Sequence, residues 1–417
     1  MRDEEYYDGI SHIGGCYLLS KFIAFKLSSG ESFYIETMVN KRKKTVLVDG
    51  GEGRAITDHF KNVVRRDKVN VVVCTHQDSD HSRGIHAFLS RYHCDEVWLP
   101  AEWGDLYGYF KNTPDIIKTF LELDSLVRGF ESEKREEVPT IEYLEEYISS
   151  KVEAGKEEEE CYFEDYKHIE IENIEMVYSA LTLMNLGLSD IGFSNLSKDV
   201  SNLVSEIIGH YKNIVNIAAL ALNKGILIRW FEYQEEAPLR IHKNDPLIPL
   251  NSKEVLQIKR FKSSTEFLLQ LVSQFNLSTT NRRCLVFSTN WKNKKTPPIL
   301  LTADSNLDGK EVEKANFKSG MIITVPHHGS KNNKPAFDKI KCKIVSKRID
   351  RTNWVKSFHQ AVDLDSWYLK DILEIKGGTK RYCTKCENSH VEFKFIQRRW
   401  KRIKTKKRRD GCTCTSK

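Results

Sequence analysis

The 417-residue sequence predicts an α/β fold in which buried strands alternate with amphipathic helices. Residues 32–100 follow the order strand, strand, helix, strand, helix, strand. Three runs, Val69–Cys74, Ile299–Ala303 and Met321–Val325, are typical of buried strands because they are short, apolar and bounded by polar or turn residues. Histidine or aspartate follows each run closely, so we expect the chemistry at the strand ends.

Two amphipathic helices are predicted in the first part of the chain. Their apolar faces are Ile56, Phe60, Val63 and Val64 in the first helix, and Ile85, Phe88 and Leu89 in the second. Gly84 lies early in the second helix, and we expect close packing there.

Ordered elements return after residue 196. A helix ends at Lys224 and Gly225, Ile226–Trp230 is predicted as a strand, and the proline-containing segment Glu235–Leu250 is predicted as a linker. The predicted division is residues 1–103 as the first half of the fold, 104–195 as a partly acidic insertion, 196–380 as the second half and 381–417 as a basic, cysteine-rich tail.

Composition suits a globular protein that is neither exported nor embedded in a membrane. Apolar residues make up 40% of the chain and charged residues 29%. The longest apolar stretch, Ile214–Trp230, is interrupted by polar and charged residues and predicts no membrane span. Met1–Glu5 has no features of a signal peptide, so we expect a cytoplasmic protein without a disulfide framework.

Three motifs at the strand ends are candidates for metal binding. They are Thr75–His81 (THQDSDH), Leu300–Asp304 (LLTAD) and Val325–Ser330 (VPHHGS). The first places two imidazoles and two carboxylates within six residues, which is costly unless a cation neutralises them. Each motif alone is also compatible with a solvated loop, a turn or a packed histidine pair.

The order and spacing of these motifs resemble the metallo-β-lactamase fold, with its His-x-His-x-Asp-His motif, later bridging Asp and late His. Asp78 stands where the usual second His would be. That variant, together with the Pro-His-His-Gly-Ser turn, resembles the soluble hydrolase domain of the ComEC competence family and related phosphocholine esterases. Val46–Gly51 (VLVDGG) and Asn281–Phe287 (NRRCLVF) fit strands of that branch. The resemblance implies a four-layer αβ/βα sandwich with a large insertion.

The resemblance also implies a ligand set for two ions. His76 and Asp78 would hold one ion, Asp80 and His81 the other, and Asp304 would bridge them. The late pair would complete the sites, through His328 and then His327.

Several further residues are candidates for roles at or beside these ligands. Asp80 and Asp304 are the candidates for a direct catalytic role. Asp49 would orient the histidines. Ser330 and Lys331 follow the histidine pair and could bind a substrate phosphate; the alternative for Lys331 is a solvated side chain in a turn. A further histidine ligand from the middle of the chain stays unassigned, since His168, His210 and His242 do not follow convincing strands.

Carboxylate and imidazole ligands without thiolates favour two divalent ions, Zn²⁺ or Mn²⁺. Such a pair supplies an activated water and stabilises the attacking and leaving oxygens, so no protein nucleophile is needed.

The C-terminal segment is strongly basic. Nine of the twelve residues from Arg398 to Arg409 are Lys or Arg, whereas the whole chain carries a net charge of only +7. Such a segment attracts polyphosphate backbones, and Trp400 could stack on a base; the alternative is a disordered solubilising tail. The expected nucleic-acid contacts are Arg398, Arg399, Trp400, Lys401 and Arg402.

Four cysteines flank the basic run. Cys383 and Cys386 precede it, and Cys412 and Cys414 follow it. Two close pairs of thiols predict a structural zinc site, with four free thiols as the alternative.

The functional prediction is a two-metal hydrolase of phosphodiesters, with nucleic acid as the favoured substrate and no membrane partner. Alternatives are hydrolysis of a small phosphodiester or ester, and a regulatory subunit that docks a protein partner through residues 104–195. Stand-alone hydrolases of this kind resemble components of bacterial multi-gene systems, including antiviral defence.

Overall fold

The computed structural model of the protein describes residues 20–101, 213–255, 283–290, 296–357, 367–375 and 377–403. The insertion predicted at 104–195, residues 281 and 282, His168, His210, Cys412 and Cys414 therefore lie outside the described residues. The strands are β1 (Lys21–Ala24), β2 (Phe33–Val39), β3 (Arg42–Val48), β4 (Lys68–Val73), β5 (His93–Pro100), β6 (Leu227–Tyr233), β7 (Leu247–Pro249), β8 (Ser252–Val255), β9 (Phe287–Thr289), β10 (Ile299–Leu301), β11 (Ile322–Thr324), β12 (Asn353–Lys356), β13 (Lys380–Cys383), β14 (Val391–Ile396) and β15 (Arg399–Ile403).

Several of the described helices adjoin a short π-helical or 3-10 turn. They are α1 (Ala55–His59), α2 (Ser79–Arg91), α3 (residues 213–223), α4 (Glu311–Lys314), α5 (Lys334–Ser346) and α6 (Ile372–Glu374). A π-helical turn, Phe60–Val64, extends α1, and another, Trp367–Asp371, precedes α6. Two 3-10 turns, Pro326–Gly329 and Lys331–Asn333, lead from β11 into α5.

The strands form two mixed sheets. The first has nine strands in the order β15-β14-β1-β2-β3-β4-β5-β6-β8, and the second has six in the order β13-β12-β11-β10-β9-β7. Strands β3 to β6 run parallel, and so do β10 to β13. Parallel neighbours bring their carboxyl ends to the same edge of a sheet, which is where the predicted ligands follow β4, β10 and β11.

The two sheets pack face to face around a shared apolar core. On β3, Val46 and Val48 point into this core, and Leu47 points to the opposite face of the sheet, as strand alternation requires. Full burial of such a side chain contributes about 1.5–3 kcal/mol.

Helices cover the two outer faces, which completes the predicted four-layer αβ/βα arrangement. Phe60 packs edge to face on Phe88, with ring centroids 4.9 Å apart, and on Tyr34 of β2. On the other side Phe337 of α5 lies 5.6 Å from Trp354 of β12. The predicted apolar faces of the first two helices are therefore confirmed at Phe60 and Phe88.

Gly84 makes the close approach expected from the sequence. A Cβ atom on Gly84 would lie 2.0 Å from the carbonyl oxygen of Gly50, and one on Gly50 would lie 2.2 Å from the amide nitrogen of Ile85. The first turns of α2 can therefore press against the loop after β3 only because both positions are glycine.

The start of the basic segment differs from the sequence prediction. Arg399–Ile403 form β15, which pairs antiparallel with β14 across a two-residue turn at Gln397 and Arg398. Both turn residues have positive φ, as tight hairpin turns of the mirror-image type require. Up to residue 403 the segment is thus part of the first sheet, so the predicted start of a separate tail at residue 381 is wrong.

Trp400 and Arg402 are also placed differently from the prediction. The Trp400 side chain is only 7% exposed, its ring lies 5.6 Å from Phe395, and its indole nitrogen donates to the carbonyl of Pro297. The Arg402 guanidinium pairs with Glu387. The suggestion that Trp400 stacks on a base is therefore wrong, because its ring is buried in the core on the inner face of β15.

The predicted linker also contains a strand. Leu247–Pro249 form β7 at one edge of the second sheet and pair with β9. An edge strand tolerates Pro249, because proline cannot donate to the ladder but one side of an edge strand needs no donor.

Candidate metal centre

The loop between β4 and α2 carries the first group of predicted ligands. α2 begins at Ser79, and the amides of His81 and Ser82 donate to the carbonyl of Asp78. The Ser82 hydroxyl donates to the carbonyls of Gln77 and Asp78, at 2.9 and 2.8 Å. This tight turn brings the rings of His76 and His81 together, with centroids 4.0 Å apart.

The ends of β10 and β11 supply the second group. Asp304 follows β10, and His327 and His328 follow β11. The amide of His327 donates to the carbonyl of Ala303 at 3.0 Å, which ties the two strand ends together. Ala303, His327 and His328 have φ of 46°, 44° and 52°. Non-glycine residues rarely adopt this left-handed conformation, and such strain is concentrated at functional sites.

The two carboxylate oxygens of Asp304 face different histidines. Its Oδ2 lies 3.4 Å from Nε2 of His327 and 3.9 Å from Nε2 of His76. Its Oδ1 lies 3.4 Å from Nε2 of His81 and 3.9 Å from Nε2 of His328. Asp304 therefore stands between two groups of ligands, one at each oxygen.

One further aspartate belongs to each group. Asp78 Oδ2 lies 3.6 Å from Nε2 of His76. Asp80 Oδ2 lies 3.6 Å from Nε2 of His81 and 3.3 Å from Nε2 of His328. All seven residues predicted as ligands thus converge, with His327 next to the His76 group and His328 next to the His81 group.

Asp49 orients both histidines of the first motif. Its Oδ2 lies 3.0 Å from Nδ1 of His81. The Thr75 hydroxyl donates to the same carboxylate at 2.7 Å, so its oxygen must accept from Nδ1 of His76, which is 3.0 Å away. With Nδ1 protonated in both rings, the Nε2 lone pairs point at the centre.

The donor atoms fit divalent ions. Among the described residues, Nε2 of His76, Nε2 of His81 and Oδ1 of Asp304 are buried without a hydrogen-bond partner. Two ligands of one tetrahedral ion lie about 3.3 Å apart, given metal–ligand bonds of about 2.0–2.1 Å. The Nε2 atoms of the histidines lie 3.3–3.9 Å from the carboxylate oxygens of Asp80 and Asp304, which is close to that value.

The electrostatics also favour positive charge at the centre. Burial opposes ionisation of Asp304, but the imidazoles of His81, His327 and His328 outweigh it and hold the pKa of Asp304 well below its usual range. Burial also opposes charge on His81, but Asp80 and Asp304 raise its pKa well above the usual value. The carboxylates therefore stabilise a cation, whether a proton on a ring or a metal ion.

Glu31 is a buried acid that the sequence analysis missed. It lies in the loop between β1 and β2, is 2% exposed, and has its carboxylate 3.9 Å from Nδ1 of both His81 and His328. Burial raises the pKa of Glu31 well above the usual range. A lone glutamate in a Ser- and Gly-rich loop has no periodicity or motif that could have marked it.

The neighbouring Gly30 explains how Glu31 reaches the centre. Gly30 has a φ of +81°, and a Cβ atom there would lie 1.8 Å from the carbonyl oxygen of Asp80. The amide of Glu31 donates to that same carbonyl at 3.2 Å. The loop therefore packs directly against the backbone of a predicted ligand.

The remaining predicted residues lie around this centre. Ser330 is 7% exposed and its hydroxyl accepts from the amide of Asn332, whereas Lys331 is exposed. His242 lies in a turn whose carbonyl accepts from Asn290, and it belongs to none of the groups of potential metal ligands among the described residues.

The structure describes half of the predicted zinc site. Cys383 ends β13 and is buried, and Cys386 follows in a turn closed by a bond from the amide of Glu387 to the carbonyl of Cys383. His390, which follows this turn, accepts the amide of Lys26 at Nδ1 and lies against His59.

Residues 29–142 match the family model of the metallo-β-lactamase superfamily. The chain carries a metallo-β-lactamase domain. This superfamily is one of hydrolases, and the His and Asp groups of the domain could bind divalent metal ions. The predicted ligands Asp304, His327 and His328 lie beyond the matched stretch and follow strands of the second sheet. The narrower resemblance to the ComEC branch is not confirmed by this match.

Two curated relatives are similar to part of this chain. Both are named exodeoxyribonuclease WalJ and come from Streptococcus pneumoniae, one from serotype 2 strain D39 / NCTC 7466 and one from strain ATCC BAA-255 / R6. Each is 35% identical over 78 residues, which is 18% of this chain and 28% of the relative. The aligned stretch thus spans little more than a quarter of either relative.

Among the helices of the described part of the chain, none is both long and apolar enough to cross a lipid bilayer.

Proposed function

We propose that the protein is a metal-dependent phosphodiesterase that acts on nucleic acid. The observation that carries the proposal is the position of Asp304, whose two oxygens face two separate His and Asp groups. A carboxylate in that position can bridge two ions, and paired ions suit in-line displacement at phosphorus.

The chain offers a ligand set for each ion. His76, Asp78 and His327 would hold one ion at Oδ2 of Asp304. The second ion, at Oδ1 of Asp304, would have the ligands Asp80, His81 and His328. When bound, the ions supply an activated water and stabilise charge on the attacking and leaving oxygens. Imidazole and carboxylate donors suit Zn²⁺ or Mn²⁺.

The chain's own residues prepare the site for that chemistry. Asp49 and Thr75 hold the rings of His76 and His81 with Nε2 facing inward. His76, His81 and His328 are almost fully buried, and His327 is 26% exposed at the side chain. The substrate phosphate would therefore enter from the side of His327, where Lys331 is also exposed.

Two observations support nucleic acid as the substrate. The relatives that align over 78 residues are named exodeoxyribonucleases. The chain also carries exposed Arg398 and Arg399 at the β14–β15 hairpin, followed by a basic run up to Arg409. Concentrated positive charge binds phosphate backbones without regard to sequence. A place in a bacterial defence system rests on the family resemblance alone.

The test uses the purified full chain. Metal content is measured first, and labelled single- and double-stranded DNA, RNA and a small bis-aryl phosphodiester are then incubated with Mn²⁺, Zn²⁺ or Mg²⁺. We expect cleavage of nucleic acid, loss of activity and of at least one ion in Asp304→Ala, and no change in Asp308→Ala, because Asp308 is an exposed residue paired with Lys339.

The outcomes separate the alternatives. Linear but not circular DNA as a substrate would indicate an exonuclease. Cleavage of the small ester alone would replace the nucleic-acid assignment. Two bound ions without any hydrolysis would favour a regulatory subunit, and the absence of bound metal would overturn the proposal.

A further inference from the structure

Asn333 is a buried residue outside the predicted ligand set. It ends the 3-10 turn before α5 and is 1% exposed. Its side chain lies between the turn that carries Asp304 and the ring of His327, and it is hydrogen-bonded to both. Asn333 therefore links two segments that carry predicted ligands of the same ion.

The orientation of the Asn333 amide follows from its partners. One terminal atom lies 3.1 Å from the carbonyl oxygen of Asp304 and 3.3 Å from that of Ser305. Carbonyl oxygens only accept hydrogen bonds, so this atom must be the nitrogen, Nδ2. It also donates to Oδ1 of Asn306 at 2.8 Å.

The protonation of His327 follows in turn. The other terminal atom of Asn333 is then Oδ1, which can only accept, and it lies 2.8 Å from Nδ1 of His327. Nδ1 must therefore carry the proton. In the neutral ring, Nε2 then holds a lone pair, and it lies 3.4 Å from Oδ2 of Asp304.

We propose that Asn333 is a positioning residue that sets the tautomer of His327 and thereby determines the affinity of one of the two ions. The affected ion is the one at Oδ2 of Asp304, held with His76 and Asp78. The inference rests on the proposed metal centre, and it assigns to Asn333 the part that Asp49 plays for His81.

The two orienting groups differ in charge. A carboxylate bonded to an imidazole N–H makes a stronger, charge-assisted bond than a neutral amide does. His327 also has a side chain that is 26% exposed, whereas that of His81 is fully buried. The ion beside His327 therefore binds less tightly than the ion beside His81, and removing the Asn333 amide weakens its binding further.

The experiment measures metal binding rather than turnover. Full-length wild type, Asn333→Ala and the matched control Asn332→Ala are loaded with Zn²⁺ or Mn²⁺ and dialysed against graded chelator. Asn332 is the exposed neighbour of the same residue type. We expect Asn333→Ala to lose about 10- to 100-fold in affinity for one ion and to keep the other, and Asn332→Ala to bind both as wild type does.

A double-mutant cycle separates positioning from simple structural support. If Asn333 acts through His327, the variant His327→Ala should lose the same ion, and adding Asn333→Ala should change metal affinity no further. Asn333→Asp keeps an acceptor for Nδ1 and should retain more affinity than Asn333→Ala. Thermal unfolding of each metal-free variant establishes that it is folded.

Each contrary result has a distinct meaning. Wild-type protein with two ions and Asn333→Ala with unchanged affinity would overturn this inference and leave the proposed function standing. An equal further loss from Asn333→Ala in the His327→Ala background would show that Asn333 supports only the Asp304 turn, which also overturns it. Wild-type protein that binds no metal would overturn both.

Discussion

Asp49 and His81 form a fully buried pair in which Oδ2 of the carboxylate lies 3.0 Å from Nδ1 of the imidazole. The same carboxylate accepts from the Thr75 hydroxyl, which in turn accepts from His76. One acid therefore sets the ring orientation of a histidine in each of the two ligand groups.

Replacing this acid should weaken the binding of both ions. In Asp49→Asn the side chain keeps its size but can no longer accept from both Thr75 and His81 with a full charge. We expect a loss of about 10- to 100-fold in affinity for each ion, measured by titration with Zn²⁺ or Mn²⁺. Asp58→Asn, on the exposed surface of α1, is the matched control and should bind metal normally. A loss confined to one ion would contradict the shared role.

Asp78 should behave as a metal ligand. Asp78→His should keep metal binding and shift its preference towards Zn²⁺, because imidazole is a softer ligand than carboxylate. Asp78→Ala should lower metal content and rate together. Competition between Zn²⁺ and Mn²⁺, followed by metal analysis, measures both effects. Unchanged metal content and rate in Asp78→Ala would mean that Asp78 is no ligand.

The basic segment should strengthen nucleic-acid binding without adding sequence preference, because phosphate contacts carry no sequence information. The position of β15 determines which residues a truncation can remove without disturbing the first sheet. Removal from Arg398 onward would take Trp400 out of the core, at a cost of about 3–5 kcal/mol. Removal of residues 404–417 keeps β15 and takes away five basic residues of the run.

The truncated and full chains are compared over a salt series. We expect the truncated chain to bind more weakly, with a salt dependence that is flatter by about one unit of slope for each phosphate that it no longer neutralises. A full-length variant in which Gln replaces four basic residues removes charge without shortening the chain. The substitutions are Lys406→Gln, Lys407→Gln, Arg408→Gln and Arg409→Gln. Equal affinity and slope in all three proteins would mean that this segment is a solvated extension.

A separate zinc ion is expected near the end of β13. Cys383 and Cys386 sit in one turn, and Cys412 and Cys414 would supply the other ligands of a four-thiolate site. Cys412→Ser with Cys414→Ser should lower zinc content by about one ion per chain and leave the Asp304 centre loaded. Cys342→Ser, at an exposed position on α5, is the control. Unchanged zinc content would exclude the site.

His390 should make stability depend on pH. Burial, together with the nearby positive charges of His59 and Lys26, lowers the pKa of His390 to about 4. In the unfolded chain the pKa is about 6.5, so the folded state binds fewer protons between these values. Above pH 6.5 His390 should therefore not reduce the free energy of unfolding. As the pH drops from 6.5 through 4, that free energy should fall by about 1–2 kcal/mol after solvent screening.

Urea unfolding at several pH values tests this. His390→Asn keeps an acceptor for the amide of Lys26 but cannot titrate, so its unfolding free energy should depend less on pH than that of wild type. His86→Asn, on the outer side of α2, controls for loss of a histidine elsewhere. Parallel pH curves for wild type and His390→Asn would contradict the prediction.

The sequence predicted the strands next to the centre and the convergence of the His and Asp side chains that follow them. Short apolar runs that end in His and Asp leave a clear pattern, and β4, β10 and β11 lie within two residues of their predicted bounds. Glu31 and Asn333 could not be predicted, because single polar residues in loops acquire their roles only through contacts distant in sequence. β15 was missed because its dense positive charge concealed the inward-facing Trp400.

The centre draws on both sheets, with His76–His81 from the first and Asp304 and the His327–His328 pair from the second. These segments are more than 200 residues apart in the chain, and the amide of Leu285, which donates to the carbonyl of Thr75, ties them near the centre. Contacts of such long range form late in folding. A nascent or partly folded chain would hold only part of the predicted ligand set for either ion, and metal uptake should therefore mark the completion of folding.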